Sequence, residues 1–535
     1  MIRFVSAVLV LIAATGGAPA DDKPVSIFES RVHLTPQGKI DELVFGRLEQ
    51  LGIRPAHLCS DEVFVRRVYL DVIGTLPTSQ EAWQFLKDRD PDKRRVLIDR
   101  LLERKEFADY WAMKWSDVLR IKAEFPINLW PNAAQAYHRW IRASIEENKP
   151  YDRFAREMLT ASGSNFRVPP VNFYRAVQSK EPQTIAQAVA LMFMGARAEK
   201  WPEERLAAMA AFFSQIAYKS TGEWKEEIVV FEPQKAAASA SDAGTQATFP
   251  DGKTVRLPAG KDPREVFADW LVDAKNPWFT GNIVNRIWYW LLGRGIVHEP
   301  DDIRSDNPPS NPELLAYLRR ELVAAKYDLK HVYRLILNSK TYQLSSIPRD
   351  NHPEGAVNFS HYPLRRLEAE VLIDALCQIT GTTENYSSAV PEPFTIIPPG
   401  YRSIALPDGS ITSAFLEQFG RPPRDTGLES ERNNRPTPDQ RLHMLNSSHI
   451  QQKIENSPKL QALFRSAGKG PGRPGRARQP GEVLATLYLT ILSRTPTREE
   501  AKTVAEYLQS ASSKRDAVMD VTWALINSAE FLYRH

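Results

Sequence analysis

The chain has 535 residues, of which 42% are hydrophobic and 25% are charged, as is typical of a globular protein with a substantial core. This length predicts two to four domains. The 69 basic and 65 acidic residues leave a net charge of only +4, so no field of one sign covers the whole chain, and nucleic acid is excluded as a favoured partner.

The first segment, MIRFVSAVLVLIAATGGAPADDKP, has the pattern of a secretory signal peptide. Arg3 provides the positive region, residues 4–14 form the apolar region, and residues 18–20 read Ala-Pro-Ala, a small-x-small cleavage site. We expect cleavage after Ala20, which would remove residues 1–20. No later run approaches 18 uninterrupted apolar residues, so we expect a mature chain without a transmembrane segment, located in the periplasm or secreted.

Helix signals dominate the rest of the chain. In a capping box, a Ser or Thr and an acidic residue three positions later exchange hydrogen bonds with backbone amides at the start of a helix. Three such boxes occur, at Thr78 with Glu81, Ser310 with Glu313, and Thr497 with Glu500. Strand signals are sparse, and the best are EEIVVFE and KTVRLP. The sequence therefore predicts a mainly α protein with long irregular loops and at most a few short strands.

An Ala/Ser/Gly-rich stretch between those two strand signals predicts the main domain boundary. We expect a first helical domain at residues 35–235, a linker or exposed loop at 236–261, and a second helical domain at 262–535. Within the second domain, RSAGKGPGRPGRARQPG at 465–481 is basic and low in complexity, which predicts a mobile loop.

The sequence contains two cysteines, Cys59 and Cys377. Outside the cytoplasm two cysteines can form a disulfide, but they can equally be isolated buried thiols, and their separation in sequence does not decide between the two. A zinc site built on thiolates is not predicted, because neither cysteine has a second one nearby.

Common catalytic and cofactor motifs are absent. Neither G-x-S-x-G, nor H-E-x-x-H, nor the Walker loop occurs, and the one G-x-G-x-x-G match, at 470–475, contains two prolines and follows no strand. His443 and His449 are six residues apart, which would place them on well-separated faces of a single helix. We therefore predict no cofactor and no metal site.

The segment GRGIVHEPDDIRSDNPPSNPELL, residues 293–315, concentrates polar side chains between two predicted helices. Three interpretations stay open: ion pairs and turn caps within the loop, oxygen ligands for a hard cation, or a polar binding or catalytic pocket. In this region the candidates for catalysis are Asp301, Asp302, Arg286 and Arg304, and those for ligand binding are His298 and Asn307.

Three aromatic residues, Trp288, Tyr289 and Trp290, follow one another on a predicted helix. Consecutive helical residues point in three directions, so we expect at least one of them to be exposed or covered by the other domain. An exposed Trp would be a platform for a sugar ring, which makes Trp288 and Trp290 candidates for ligand binding. Packing between the domains is the alternative.

Several long stretches resemble a known family. The segments DEVFVRRVYLDVIGTLPT (61–78), DPREVFADWLVDAKNPWF and its continuation (262–315), and DVTWALINSAEFLYRH (520–535) are similar to the secreted planctomycete-type family built from two paired domains of unknown function. FGRPPRDTG and PDQRLHMLN resemble its later motifs. The resemblance covers roughly residues 35–535. In many members a planctomycete-type cytochrome c domain precedes the pair.

The resemblance also implies a C-x-x-C-H motif between two apolar runs that correspond here to 187–195 and 206–213. Such a motif attaches haem or binds a metal. This chain instead reads GARAEKWP at 195–202, without cysteine or histidine. We therefore expect this member to lack both the motif and the cytochrome domain.

Three functional hypotheses follow. The first is an extracytoplasmic helical protein that binds a cell-envelope partner or a polysaccharide without redox chemistry. The second is an extracytoplasmic hydrolase acting on polysaccharide, with its site at the 286–311 region, so whether the protein is an enzyme stays open. The third, electron transfer, is disfavoured because the sequence offers no haem ligands.

Overall fold

The structure, a computed structural model, describes residues 26–233, 246–258, 260–465 and 480–535. The expected signal peptide and nearly all of the expected basic loop at 465–481 lie outside the described residues. The first part of the expected linker does so as well. In the part of that linker that is described, residues 246–256 form a short hairpin in which two strands pair.

The described chain is predominantly α-helical, which confirms the fold class expected from the sequence. The helices of the first half are α1 (Lys39–Gln50), α2 (Asp61–Ile73), α3 (Ser79–Lys87), α4 (Lys93–Leu102), α5 (Lys105–Val118), α6 (Pro131–Glu146), α7 (Tyr151–Thr160), α8 (Pro182–Val189) and α9 (Glu203–Ala210). Those of the second half are α10 (Pro263–Val272), α11 (Pro277–Leu292), α12 (Pro312–Ala324), α13 (Leu329–Asn338), α14 (Ala369–Thr380), α15 (Ala414–Gln418), α16 (Pro438–Asn446), α17 (Ser448–Glu455), α18 (Pro458–Arg465), α19 (Pro480–Ile491), α20 (Arg498–Ser510), α21 (Lys514–Ile526) and α22 (Ala529–Leu532). Among the described residues, no helix is both long and apolar enough to cross a membrane.

Short strands form three small sheets. The strands are β1 (Gly163–Ser164), β2 (Ile216–Ser220), β3 (Glu227–Phe231), β4 (Gln246–Thr248), β5 (Thr254–Arg256), β6 (Arg365–Arg366) and β7 (Tyr533–Arg534). The first sheet has the order β1-β3-β2, β4 pairs with β5, and β6 pairs with β7, all antiparallel. Both strand signals found in the sequence therefore correspond to strands, β3 and β5.

Side-chain caps fix several of the helix starts. The capping boxes expected at the starts of α3 and α20 are present, with both hydrogen bonds made in each. The box expected at Ser310 and Glu313 is wrong by one residue, because Asn311 is the N-cap of α12 and its side chain accepts from Leu314 N at 3.0 Å. Asparagine is a strong N-cap, and Pro312 then takes the first helical position, where no amide hydrogen is needed.

Aromatic residues join the two halves of the chain in one core. Trp111 and Trp115, on α5, lie with their rings 5.3 and 5.8 Å from the ring of Trp290 on α11. Tyr151, at the start of α7, stacks on Phe279 at 4.6 Å between ring centroids. Rings at these separations make favourable contacts in addition to the area that they bury. The α5 and α11 helices are therefore packed against each other, and Trp290 is covered by the first half of the chain.

The last residues of the chain are built into its first helices. The guanidinium of Arg66, on α2, donates to Ile491 O at 2.7 Å and to Phe531 O at 2.8 Å. Arg534, on β7, is almost completely buried and forms an ion pair with Glu368. These contacts satisfy buried charges and carbonyl groups that would otherwise be costly to remove from water.

Candidate functional site

Two of the four residues predicted for catalysis meet in the core. Arg286 Nη2 donates to Asp301 Oδ1 at 2.8 Å, and both side chains are buried. Glu429, which the sequence did not single out, completes the cluster, because Arg286 Nη1 donates to Glu429 Oε1 at 3.0 Å. The cluster of Arg286, Asp301 and Glu429 is hereafter called the buried ion cluster.

The buried ion cluster has its own hydrogen-bond partners. The indole of Trp290 donates to Glu429 Oε1 at 2.7 Å, and Glu429 N donates to Asp301 Oδ2 at 2.7 Å. Burial raises the pKa of Glu429 above its ordinary value, although the Arg286 guanidinium opposes that shift. Each oxygen of Asp301 is thus occupied by a protein donor. This arrangement anchors the 298–307 loop and the 429 segment to α11.

The other predicted residues of this loop pair with one another at the surface. Arg304 donates to Asp302 at 3.2 Å and to Asp306 at 3.0 Å. The amide of Asn307 donates to the carbonyl oxygens of His298 and Asp302 at 3.1 and 2.9 Å. Asp302 and Arg304 thus lie apart from the buried pair of Arg286 and Asp301. Of the three interpretations, the loop follows the first, in which ion pairs and turn bonds satisfy its polar side chains.

His298 is exposed, and its ring stacks on that of Tyr289 at 6.4 Å between centroids. Burial and the neighbouring Arg294 lower the pKa of His298. Within the described residues, no group of three His, Cys, Asp or Glu side chains is arranged to hold a metal ion. His298 is thus part of the packing of α11 against the loop.

The two candidate tryptophans of α11 are not available to a ligand. Trp288 is completely buried and packs edge-on against Phe359 at 5.1 Å, and Trp290 is 6% exposed beneath α5. The prediction of a sugar platform at these two residues is wrong, because both rings are used in packing. Trp290 instead packs between the two halves of the chain, which is the alternative that the sequence left open.

Both cysteines are free thiols. Cys59 is buried, and the guanidinium of Arg94 lies 3.9 Å from its sulfur. Cys377 is half-buried beside Lys453, whose Nζ is 3.5 Å from its sulfur. Of the two alternatives that the sequence left open, the structure therefore has the isolated thiols, and each thiol has a separate cationic neighbour.

The turn after α8, where the resemblance implies a C-x-x-C-H motif, is tightly packed. Gly195 has a φ of 62°, and a Cβ there would lie 2.7 Å from Asn282 Oδ1, so a side chain is excluded. Its carbonyl oxygen accepts from Ile303 N at 2.8 Å, and Arg197 pairs with Glu299 at 2.9 Å. In this chain the turn supports the 298–303 loop.

A group of three aromatic residues that the sequence did not single out, two of them exposed, lies elsewhere on the surface. The ring of Trp130 is 6.5 Å from that of Trp224 and 5.2 Å from that of Phe394. Trp224 is 71% and Phe394 45% exposed. Lys225 Nζ lies 5.5 Å from the Trp130 ring and 5.3 Å from the Trp224 ring. We call Trp130, Trp224 and Phe394 the aromatic platform.

The backbone around the aromatic platform adopts an unusual conformation. Asn128, Trp130 and Lys225 have φ values of 60°, 70° and 61°, in the left-handed region that non-glycine residues rarely adopt. Each such residue costs on the order of 1 kcal/mol, so the surrounding structure must hold it in place. Trp130 N donates to Ala123 O at 3.2 Å, which closes the loop that ends at the platform. Strained backbone of this kind is concentrated at functional sites.

A cavity of about 310 Å³ adjoins the aromatic platform. Trp130 is the N-cap of α6, whose next turns line the cavity, and Ile396, two residues after Phe394, lines its rim. We call this cavity the α6 cavity. Its lining residues are Asp109, Gln135, His138, Arg139, Arg142, Ile396, Ile397, Pro398, Tyr401, Ala405, Leu406, Pro407 and Ile411. An apolar floor with a few polar groups is the usual composition of a small-molecule site.

Two family models match the chain. One, described as PSCyt2, Protein of unknown function (DUF1549), covers residues 39–217, and the other, described as PSD1, Protein of unknown function (DUF1553), covers residues 263–508. The chain belongs to this family of two paired domains of unknown function. No curated protein and no solved structure matches it.

Both matched regions contribute residues to the aromatic platform. Trp130 lies in the PSCyt2 region and Phe394 in the PSD1 region, while Trp224 lies between the two matched ranges. The α6 cavity likewise has one wall from α6 and another from residues 396–411. The site therefore exists only where the paired regions meet.

Proposed function

We propose that the protein binds a polysaccharide outside the cytoplasm through the aromatic platform, without redox chemistry. The observation that carries the proposal is the exposure of Trp224 and Phe394 around Trp130, on a backbone that takes an unfavourable conformation there. Sugar rings have apolar faces that stack on flat aromatic rings, and exposed apolar patches on a protein surface mark binding sites.

The neighbouring cavity supports the same proposal. A polymer that lies across the platform can place one of its units in the α6 cavity, whose volume is within the range of about 300–1,000 Å³ common for ligand sites. The location outside the cytoplasm rests on the leader pattern at residues 1–20. The proposal of binding without redox chemistry rests on the residues 195–202, which supply no cysteine or histidine.

The proposal is tested with Trp224→Ala and Phe394→Ala in the full chain. We expect each substitution to weaken binding about tenfold, because truncating a ring that stacks on the ligand removes on the order of 1.4 kcal/mol. Binding is measured by affinity electrophoresis and calorimetry against a panel of neutral and acidic polysaccharides.

The matched control is Trp83→Ala. Trp83 is 44% exposed and has Lys87 4.4 Å from its ring, so it resembles Trp224 in exposure and in its cationic neighbour, but it lies on α3. Unchanged binding after Trp224→Ala, or an equal loss after Trp83→Ala, would refute the platform. Release of reducing ends from the polymer would show that the protein is a hydrolase and contradict binding without catalysis.

A further inference from the structure

Four residues on one face of α6 form the polar wall of the α6 cavity. Gln135, His138, Arg139 and Arg142 are spaced at helical intervals of three and four residues, so their side chains point to the same side of the helix. Trp130 is the N-cap of the same helix, and Gln135 follows it by five residues, which is an axial distance of about 7 Å. The platform and the polar wall are therefore close enough for one short oligosaccharide to contact both.

The two arginines of this wall differ in their partners. Arg142 donates to Asp109 at 2.5 Å and to Glu146 at 2.8 Å, so its charge is already neutralised. Arg139 is exposed, and in the described part of the chain its side chain makes no ion pair and no hydrogen bond. Asp109 also lines the cavity. Since Asp109 is paired with Arg142, Arg139 leaves the cavity wall with an uncompensated positive charge.

His138 lies in the same wall and is buried. Its side chain is 4% exposed and lines the cavity, and its Nε2 has no hydrogen-bond partner. Burial, together with Arg424, Arg142 and Arg139, lowers the pKa of His138 to about 3. The imidazole is therefore neutral at ordinary pH, and the tautomer with the proton on Nε2 is a hydrogen-bond donor. Of these arginines, Arg142 and Arg424 are paired with carboxylates, so the positive charge at this wall comes from Arg139.

We propose that the α6 cavity binds an anionic substituent, a carboxylate or a sulfate ester, carried by the polysaccharide that lies on the aromatic platform. This inference rests on the proposed function and narrows its substrate to an acidic polysaccharide. Arg139 supplies the charge and forms charge-assisted hydrogen bonds to the anion. The apolar floor of Ile397, Leu406 and Ile411 contacts the ring that bears the substituent.

The experiment compares derivatives of single polymers that differ only in their substituent. The probes are dextran, carboxymethyl dextran and dextran sulfate, and hydroxyethyl cellulose, carboxymethyl cellulose and cellulose sulfate. Binding to each is measured by calorimetry at a fixed ionic strength near 0.15 M, since salt screens non-specific attraction. We expect the wild-type chain to prefer the anionic members of a series about tenfold over the neutral member, the value of one hydrogen bond to a charged group.

Two substitutions separate this site from general charge attraction. Arg139→Gln is expected to remove the preference for the anionic polymers over the neutral ones. Arg153→Gln removes an exposed arginine from α7 and changes the net charge equally, but it does not line the cavity, so the preference should remain. Trp224→Ala should weaken the binding of neutral and anionic polymers alike.

The outcomes distinguish the two proposals. Equal binding of neutral and anionic polymers, or a preference that survives Arg139→Gln, overturns the anion site and leaves the aromatic platform standing. Equal losses after Arg139→Gln and Arg153→Gln also overturn the anion site, because they indicate attraction by net charge. Failure of the wild-type chain to bind any polymer of the wider panel or of these series refutes the proposed function together with the inference.

Discussion

At the residue scale, Arg286 neutralises two buried carboxylates at once. It pairs with Asp301 and Glu429, which lie on segments more than a hundred residues apart in sequence. Removing a charge from water is costly, and a buried charge that loses its partner retains that cost without compensation. The stability of this region therefore depends on Arg286 far more than on the exposed charged side chains of the neighbouring loop.

The first prediction at this scale compares two arginines of the same region. Arg286→Met should lower the free energy of unfolding by about 3–5 kcal/mol, because it leaves two buried carboxylates unpaired. Arg304→Met removes an exposed arginine that pairs with Asp302 and Asp306, and it should change the free energy by less than about 1 kcal/mol. Urea unfolding measures both. Similar losses of unfolding free energy in the two variants would contradict the assignment of Arg286 as the partner of two buried carboxylates.

The sequence predicted the residues of this cluster better than their role. The sequence singled out Arg286 and Asp301 as candidates for catalysis, whereas in the structure they form an ion pair with each other. It missed Glu429, because an ion pair between residues 143 positions apart leaves no local pattern. Trp224 and Phe394 were missed for a similar reason, since isolated aromatic residues in loops give no periodicity from which exposure follows.

At the element scale, single residues decide where helices begin and end. The start of α12 lies at Asn311 and not at Ser310, although both residues are capable of capping. A second case is the break between α16 and α17 at Ser447. It brings the rings of His443 and His449 to 5.8 Å, whereas one continuous helix would have separated them, as the sequence analysis assumed.

The prediction at this scale concerns the cap of α12. Asn311→Ala should reduce the free energy of unfolding by about 1–2 kcal/mol, because it removes the cap. It also removes the bond from Asn311 Nδ2 to Leu43 O, which is 3.0 Å long and joins α12 to α1. Ser310→Ala is the control, since the hydroxyl of Ser310 has no hydrogen-bond partner among the described residues, and its effect should stay within about 0.5 kcal/mol. A larger loss for Ser310→Ala would restore the capping box predicted from the sequence.

At the scale of the whole molecule, the mainly α fold was predictable because caps and helical periodicity are local signals. The way in which the two halves pack was not, because it depends on contacts such as that between Trp111 and Trp290. The aromatic platform and the α6 cavity share this property, since each is assembled from segments that are distant in sequence. A binding site of this kind is invisible to motif searches, which read consecutive residues.

Buried histidines make the stability of the whole molecule depend on pH. In the folded chain the pKa of His138 is about 3, against 6.5 for an ordinary histidine, so between these values the unfolded chain binds more protons. Its contribution to stability is complete above pH 6.5 and is lost as the pH falls toward 3. Burial is also the main cause that lowers the pKa of His535 to about 3. His535 therefore makes the stability depend on pH in the same direction as His138 does.

The matching prediction is that His138→Gln makes the unfolding free energy depend less on pH. Between pH 6.5 and about 3, the slope of the unfolding free energy should decrease by up to about 1.4 kcal/mol per pH unit, the value for one proton. The slope is measured from urea unfolding at a series of pH values, so an overall change in stability does not affect it. His33→Gln, at an exposed position, is the control for loss of an imidazole. An unchanged slope would show that His138 is not held neutral.

The contacts of Arg66 with Ile491 and Phe531 have a consequence for biosynthesis. While the chain is being translated, α2 has no carbonyl partners for this guanidinium until more than four hundred further residues have emerged from the ribosome. Closing a loop of that length is slow, and partly assembled helices expose apolar surface in the meantime. Nascent chains should therefore remain open to chaperones until Ile491 and Phe531 have emerged, and α2 should acquire protease resistance together with the segments that carry these two residues.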